Sequence, residues 1–458
     1  MARKRVRGAQ RGIHRRNLVY HTLYPYARQV FFHYYGKVEI NGVENIPRGE
    51  PVIFAPNHQN ALMDALIVLF SAPQDVVFLA RADIFNNRFL AWFLNSLKIL
   101  PVFRQRDGAA ELAKNQDIFD ISVDVLRNRH YLCVMPEGNH GHLRRLRAFG
   151  KGIFRIAFAA QQEHAAKPFV KIVPVGLDFG DYVKQHASLY VNYGKPIEIS
   201  DYWPAYEENG ARAINQIKAK LIEELKPLMI HIESEPYYEA IHGLREICNS
   251  EMREMLGIEG AGLSDRFKAD KEMIARLHSA IEKDEEQVKE LSGKTLDYLK
   301  GVQEMRIRDW TVRVKGYNVA RTLWRYISLI ITFPIFLYGL VNNAILYFLP
   351  VYLVRNIRDR QFHSSVKAGL GMLFILPISY LLQTLVVGIL TGPWWIWAAY
   401  LVSLFPAGKA ALYWYFRWKK TVRGGWFRRQ LRRRNKRAWE LVELRQEIIE
   451  LADKLTHR

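Results

Sequence analysis

The sequence predicts a mixed α/β domain, with a sheet flanked by helices, followed by a helical spacer and by membrane helices. Three observations lead to this fold class. Short apolar runs alternate with amphipathic stretches through the first half of the chain, as buried strands and their covering helices do. A charged stretch of helical character comes next, and three long apolar segments follow it.

Four short apolar runs form the predicted sheet. Each is rich in Val, Ile, Leu or Phe, which is typical of strands that are buried on both faces. Upstream of them, residues 17–36 carry aromatic side chains at helical spacing with basic residues among them, which predicts an interfacial helix. The predicted strands are 51–55, 76–80, 131–135 and 171–177.

The charged stretch covers residues 265–314, where Glu alternates with Lys and Arg around spaced Ile, Leu and Val residues. This pattern predicts amphipathic helices with solvated outer faces. We interpret them as a helical hairpin or spacer between the α/β domain and the membrane helices.

The apolar segments 327–354, 366–391 and 394–416 are each long enough to cross a hydrocarbon core, which takes about 20 helical residues. Basic residues cluster before the first segment, between the first and second, and after the third. The positive-inside rule therefore predicts that the second and third form a transmembrane hairpin with cytoplasmic ends. Because the first has positive charge at both ends, we expect a re-entrant or in-plane helical hairpin there.

The composition is strongly basic. Lys and Arg number 66 against 45 Asp and Glu, which gives a net charge of +21 and favours a polyanionic partner. Eleven Lys and Arg residues lie between positions 417 and 437, directly after the last apolar segment, where lipid headgroups would meet them. We therefore expect anionic membrane lipids as partners and no nucleic acid, although an RNA-binding tail would carry a similar charge.

The two cysteines, Cys133 and Cys248, lie far apart without metal-ligand spacing around them. The sequence therefore indicates neither a disulfide framework nor a metal site. The first sixteen residues are basic and polar and contain no apolar core of signal-peptide length. We expect an integral membrane protein whose α/β domain lies on the cytoplasmic face.

The strongest candidate for chemistry is the pair His58 and Asp64, which follows the first predicted strand. A carboxylate that reaches the imidazole can fix its tautomer and stabilise its protonated form, so His58 can act as a general base. The alternative is a surface histidine beside a helix start that Asn57 caps. The two residues alone leave both interpretations open.

Arg104 and Arg106 stand at the end of the apolar run that begins at Ile99. Their guanidinium groups match the geometry of phosphate oxygens, so this pair predicts a phosphate clamp. Either arginine can be the one that binds, with the other as a solvated neighbour.

A third motif, Pro136-Glu137-Gly138, follows the strand at 131–135 and leads to His140 and Arg144. Positive side chains and backbone N–H groups ahead of a helix can hold an anion, so Glu137, Gly138, His140 and Arg144 are candidates for substrate binding. Glu137 can also serve only to organise the glycine turn. The turn N–H groups near Gly138 are candidate donors to an oxyanion.

These ordered motifs, with a fourth at 173–175, resemble the glycerolipid acyltransferase superfamily, the PlsC-like lysophosphatidate and glycerol-3-phosphate acyltransferases. The resemblance covers about residues 35–200 and implies the glycerolipid acyltransferase fold. It places the catalytic pair on His58 and Asp64, the phosphate-binding arginine on Arg104, and the Pro-Glu-Gly motif on 136–138.

Two departures from the usual family pattern bear on the acceptor. Five residues separate His58 from Asp64, where most members have four, and Asn139-His140 stands where most have Thr-Arg. Both features are similar to the branch that contains the fungal glycerol-3-phosphate and dihydroxyacetone-phosphate acyltransferases. They leave His140 and Arg144 as candidate phosphate contacts without a counterpart in the common motif.

The resemblance implies a membrane-bound O-acyltransferase that moves a fatty acyl group from acyl-CoA or acyl carrier protein to a phosphorylated glycerol acceptor. Glycerol 3-phosphate is the expected acceptor, and dihydroxyacetone phosphate is the second candidate. Lysophosphatidate or another lysophospholipid is the alternative within the class, and a non-enzymatic lipid-binding protein is the alternative outside it. Transfer is expected to be direct, without a covalent acyl-enzyme, and no cofactor is implied beyond the thioester co-substrate.

These patterns divide the chain into five predicted parts. They are a basic N-terminus with an interfacial helix (1–36), an acyltransferase domain (37–235), a charged helical region (236–320), membrane segments (321–418) and a basic cytoplasmic helix (419–458).

Overall fold

The structure is a computed structural model whose described residues fall into two compact units. The first unit comes from Met1–His231 together with a short later segment, Ile357–Ala368, and the second from Ile232–Asn356 and Gly369–Arg458. The described residues are 12–85, 87–103, 115–313 and 319–456, without the side chains of Val319 and Arg321.

The first unit is built on one mixed sheet. Its strands lie in the order β1-β7-β6-β2-β5-β3-β4, and β8 pairs with β6 beside β7. The pairs β6–β7 and β6–β8 are antiparallel, and the other pairs are parallel. The strands are β1 (Lys37–Asn41), β2 (Val52–Pro56), β3 (Val76–Arg81), β4 (Ile99–Val102), β5 (Tyr131–Cys133), β6 (Lys171–Phe179), β7 (Ser188–Tyr193) and β8 (Ile197–Glu198).

The central strands are those with continuous apolar runs. Every residue of β2 and β5 is buried, which is expected of parallel strands that are covered on both faces. The four predicted strands are therefore confirmed as β2, β3, β5 and β6. The strands β1, β4, β7 and β8 were not predicted as strands. Of these, β1 is mostly half-exposed, β4 has four residues and β8 has two.

Helices pack against the sheet, and the buried core lies between them and the strands. The predicted aromatic helix is present as α1, and the side chain of Asn17 caps its first turn. The first-unit helices are α1 (Leu18–Tyr34), α2 (Leu62–Ser71), α3 (Arg88–Ser96), α4 (Asn115–Arg127), α5 (Gly152–Gln161), α6 (Trp203–Glu208), α7 (Gly210–Leu225) and, in the later segment, Phe362–Val366.

The second unit is helical. The predicted charged helices are confirmed as Leu263–Lys283 and Glu285–Glu304, each with a buried apolar stripe. The helices of this unit are Tyr238–Ile247, Asn249–Met255, Leu263–Lys283, Glu285–Glu304, Asp309–Val312, Val319–Ile331, Phe333–Leu353, Leu376–Thr391, Trp394–Arg432 and Lys436–Thr456.

Three helical stretches of the described chain are long and apolar enough to cross a membrane: Phe333–Asn356, Phe362–Thr391 and Trp394–Arg432. They correspond to the three predicted apolar segments, and the predicted fold class is confirmed. The helix Val319–Ile331 ends before Thr332, so a helix boundary falls inside the predicted segment 327–354. The re-entrant path of that segment and the five-part division of the chain stay predictions.

Candidate active site

The candidate site lies at one edge of the sheet. Because β2, β3, β4, β5 and β6 run parallel, their carboxyl ends meet at the same edge. His58 comes two residues after β2, and Glu137 follows β5, the neighbour of β2. The sheet therefore delivers two of the predicted motifs to one place.

The structure joins the predicted pair. Nδ1 of His58 lies 2.8 Å from Oδ2 of Asp64, and since a carboxylate only accepts, the imidazole donates from Nδ1. In the neutral ring this leaves Nε2 with its lone pair. Asp64 is fully buried, whereas the His58 side chain is 14% exposed, so the ring remains within reach of a substrate.

Asp64 is held by its own loop. Its Oδ2 also accepts hydrogen bonds from the backbone N–H groups of Gln59 at 2.8 Å and Asn60 at 2.7 Å. Three donors on one oxygen fix the carboxylate before any substrate binds, which is what a tautomer-setting partner requires.

The longer spacing between His58 and Asp64 is absorbed in a tight turn. The N–H of Met63 donates to the carbonyl of Asn60, and Ala61 between them adopts φ +44° and ψ −121°. These angles match the first central position of a type II′ turn, which glycine normally occupies. The site therefore contains a strained backbone residue, as active sites often do.

Glu137 ties the second loop to the first. Its Oε1 accepts from the backbone N–H of His58 at 2.9 Å, and its Oε2 accepts from Nε of Arg147, also at 2.9 Å. The N–H of Gly141 donates in return to the carbonyl of His58 at 3.1 Å. Glu137 therefore positions the backbone that carries the candidate base.

The turn after Glu137 requires its glycine. Gly138 has φ +72°, a left-handed conformation that side chains rarely adopt. Its N–H donates to the carbonyl of Met135, and the N–H of Asn139 donates to the carbonyl of Glu137. Both candidate oxyanion donors are thus engaged inside the turn.

The structure places His140 beside His58, with the two ring centroids 5.5 Å apart in an edge-to-face arrangement. Nε2 of His140 lies 2.6 Å from Oδ2 of Asp359, and its ring contacts the ring of Phe362 at 5.1 Å between centroids. Both partners belong to the later segment of the first unit.

Arg144 is not positioned as an accessible phosphate contact, which the sequence analysis had made it a candidate for. Its side chain is 4% exposed, pairs with the carboxylate of Asp178 and donates to the carbonyl of Phe179. A phosphate would have to compete with that pair. Arg104 and Arg106 lie outside the described residues, between Phe103 and Asn115, which are joined by two hydrogen bonds of 2.9 and 2.8 Å.

Cys133, the last residue of β5, is buried close to the pair. Burial raises the pKa of its thiol well above the ordinary range, and the charge of Asp64 raises it further. A thiol in that state is a poor nucleophile, because the thiolate is the reactive form. Burial also raises the pKa of Cys248, in the second unit, to about 12.

Several positioning residues were not predicted from the sequence. Asn57 bonds the β2 end to β6 through Leu177, accepting from its N–H at 2.6 Å and donating to its carbonyl at 3.1 Å. Tyr182 donates to Oε1 of Gln59 at 2.9 Å. Asn57 had been considered only as a helix cap, and no local pattern marks Tyr182 or Asp359.

Comparison with known sequences finds a family match within this unit. Residues 37–178, from the start of β1 to the end of β6, match the sequence model of the Acyltransferase family. The chain contains an acyltransferase domain. This domain includes His58, Asp64 and Glu137, and the resemblance inferred from the motifs is confirmed at the level of the family.

Two further comparisons were made with solved structures and with curated proteins. A solved structure, the 1-acyl-sn-glycerophosphate (LPA) acyltransferase PlsC from Thermotoga maritima, aligns over 44% of this chain and 78% of that chain. The alignment has 20% sequence identity and a TM-score of 0.32. No curated protein matches the sequence. Within the described part of the chain, no group of three or more His, Cys, Asp or Glu side chains is arranged to hold a metal ion.

Proposed function

We propose that this chain is a membrane-bound O-acyltransferase that transfers a fatty acyl group from acyl-CoA or acyl carrier protein to glycerol 3-phosphate. The observation that carries the proposal is the contact of 2.8 Å between His58 and a fully buried Asp64 inside the matched acyltransferase domain. An imidazole held this way, with its side chain still 14% exposed, suits proton abstraction from a hydroxyl.

In the proposed reaction, Nε2 of His58 takes the proton from the acceptor hydroxyl while that oxygen attacks the thioester carbonyl carbon. The new C–O bond forms, the C–S bond breaks, and the imidazolium returns the proton to the leaving thiolate. Asp64 stabilises the imidazolium in between. No acyl-enzyme is required, in keeping with the raised pKa of the Cys133 thiol.

The acceptor phosphate needs cations at the same edge of the sheet. Arg104 is the proposed contact, because β4 ends at Val102 on the edge where His58 lies. Arg106 and His140 are proposed as its neighbours. Arg144, buried against Asp178, is proposed to support the loop and to contribute positive charge at a distance.

The choice of glycerol 3-phosphate, or dihydroxyacetone phosphate, is supported by the sequence around the pair. Five residues between His58 and Asp64, and Asn139-His140 after the Pro-Glu-Gly motif, are similar to the branch that uses these acceptors. Lysophosphatidate remains the alternative that an assay must compare.

The apolar helices are proposed to anchor the enzyme in a membrane, with the catalytic domain on the cytoplasmic face. The helix Trp394–Arg432 supports this, because its 39 residues exceed the about 20 that span a hydrocarbon core. Its basic end is proposed to contact anionic lipid headgroups. Lys420, Arg429 and Arg432 are exposed there.

The proposal is tested by an acyl-transfer assay on the purified, detergent-solubilised protein. Radiolabelled glycerol 3-phosphate, dihydroxyacetone phosphate and lysophosphatidate are offered in parallel with palmitoyl-CoA or palmitoyl-acyl carrier protein. We expect acylation of glycerol 3-phosphate, and loss of the rate by at least about a hundredfold in His58→Ala.

The control variant is His186→Ala, which removes a histidine of the same unit that lies in the chain before β7. It should keep activity near that of the wild type. Faster transfer to lysophosphatidate would overturn the acceptor assignment, and full activity of a folded His58→Ala protein would overturn the mechanism.

A further inference from the structure

The first unit contains a segment from far along the chain. Residues 357–368 follow the apolar helix Phe333–Leu353 in sequence, yet they group with the unit that contains the matched acyltransferase domain, 37–178. A segment outside the family match thus forms part of the unit that holds the candidate active site.

This segment is packed in place. Ser364 is 1% exposed and donates from Oγ to the carbonyl of Tyr182, and Nζ of Lys367 donates to the carbonyl of Val183 at 3.0 Å. Tyr182 in turn donates to Gln59, the residue after the candidate base. The short helix Phe362–Val366 also packs against α2, which carries Asp64.

The segment delivers two side chains to the site. Oδ2 of Asp359 accepts from Nε2 of His140 at 2.6 Å, and the ring of Phe362 packs edge-to-face against the His140 ring, with 5.1 Å between the two centroids. His140 is 11% exposed, and its ring lies 5.5 Å from that of His58. A second His–Asp pair therefore stands beside the first.

The chemistry of this second pair differs from that of the first. With Nε2 engaged by the carboxylate, Nδ1 is the ring nitrogen that faces a ligand, and it carries an N–H in the doubly protonated ring. Among the described residues, Nδ1 of His140 has no hydrogen-bond partner, so that donor is left for a ligand. In glycerol 3-phosphate the terminal hydroxyl and the phosphate lie at opposite ends of a three-carbon unit, so a donor on His140, whose ring lies 5.5 Å from that of His58, is placed for the phosphate.

The Asp359 carboxylate is itself held as an anion. Burial acts to raise its pKa, but the hydrogen bond from His140, the N–H of Gln361 and the charges of His140 and Arg81 outweigh this, so that the pKa is lowered. Asp359 therefore stays charged at neutral pH and can orient His140.

We propose that Asp359 is a positioning residue for acceptor binding, which holds His140 so that its Nδ1–H donates to the acceptor phosphate. The inference rests on the proposed acyltransferase function and deepens it, because it assigns part of the acceptor site to the segment between two apolar helices. Most of the family has arginine at this motif position. In this chain His140 then donates to the phosphate from that position, and the carboxylate of Asp359 holds its ring.

The test is a double-mutant cycle with Asp359→Asn and His140→Ala, assayed with glycerol 3-phosphate or lysophosphatidate, whichever the wild type uses, and palmitoyl-CoA. We expect Asp359→Asn to raise the apparent KM for the acceptor by about five- to tenfold. The KM for palmitoyl-CoA and kcat should stay within about twofold. If Asp359 acts through His140, the double variant should be no worse than His140→Ala alone.

The matched control is Arg360→Gln, which removes an exposed charge from the same segment and should leave the acceptor KM unchanged. Asp359→Glu should recover part of the lost affinity. The inference is overturned if Asp359→Asn leaves the acceptor KM unchanged, raises the palmitoyl-CoA KM instead, or adds fully to His140→Ala. If the wild type transfers acyl groups and His58→Ala does not, such a result removes only this inference; an active His58→Ala removes the proposed mechanism.

Discussion

At the scale of single residues, Asp64 is the most constrained group of the candidate site. It is fully buried, and one of its oxygens accepts from His58, Gln59 and Asn60 at 2.7–2.8 Å. A carboxylate fixed by two backbone donors cannot turn away from the imidazole. The orientation of His58 is therefore set by the loop and does not depend on the substrate.

The substitution Asp64→Asn tests whether the carboxylate of Asp64 sets the tautomer of His58. An amide keeps the size of the side chain but removes the charge that stabilises an imidazolium and can present N–H to Nδ1, which selects the wrong tautomer. We expect kcat to fall by about a hundredfold or more, with little change in the KM of either substrate.

The measurement is steady-state acyl transfer by protein whose circular dichroism spectrum matches that of the wild type. Asp181→Asn is the matched control, because Asp181 lies in the same unit and pairs with Lys184 instead of with a histidine. A variant Asp64→Asn with nearly normal kcat would show that the tautomer of His58 does not limit the reaction.

The contact between His58 and Asp64 could be predicted from the sequence because the two residues are close in the chain. His58 and Asp64 are six positions apart and follow a strand, so a local pattern could bring them together. Asp359 is 219 positions from His140, and the contact depends on how the later segment folds back. No spacing rule identifies such a pair, and Arg144 could not be recognised as a buried partner of Asp178 for the same reason.

At the scale of elements, the strands with continuous apolar runs could be predicted from the sequence, whereas the mostly half-exposed edge strand β1 could not.

The residues before α1 are held in place by contacts that sequence patterns do not reveal. Lys98, 1% exposed, reaches Oδ2 of Asp75 at 2.9 Å and donates to the carbonyls of His14 at 2.9 Å and Arg15 at 3.1 Å. Its Nζ also lies 5.2 Å from the ring centre of Tyr20 in α1.

Lys98→Met should therefore loosen the start of the chain. The change leaves a partly buried carboxylate and two carbonyls without their cation, which costs about 2 to 3 kcal/mol of the free energy of unfolding. Hydrogen exchange of the backbone amides in 13–20 should accelerate, and the thermal midpoint should fall. Lys167→Met, at an exposed position, is the control and should leave both quantities unchanged. Equal exchange in the two variants would contradict an anchoring role for Lys98.

At the scale of the whole molecule, composition and length were sufficient to find the apolar helices. The side-chain contacts between these helices depend on tertiary packing, which the composition and length of each segment do not specify. Asn343, 1% exposed, donates to the carbonyls of Gly339 at 2.8 Å and Leu404 at 3.3 Å, and it accepts from the hydroxyl of Tyr380 at 2.6 Å. One side chain thus joins three helices, as polar residues do between membrane helices.

The close approach of two of these helices depends on Gly339. A methyl group there would overlap the backbone carbonyl of Ala407, whereas a methyl group at Gly388 would meet Trp397 at an ordinary 3.5 Å. Both glycines lie inside helices, where alanine alone would add up to about 1 kcal/mol of helix stability. Gly339→Ala should nevertheless destabilise the second unit by about 1 to 3 kcal/mol through overpacking, while Gly388→Ala should be neutral or stabilising.

The two variants are compared by SDS titration in mixed micelles, with unfolding monitored by tryptophan fluorescence. If both variants unfolded at the same SDS fraction, Gly339 would not be a point of helix contact, because the substitutions differ only in what the added methyl group meets.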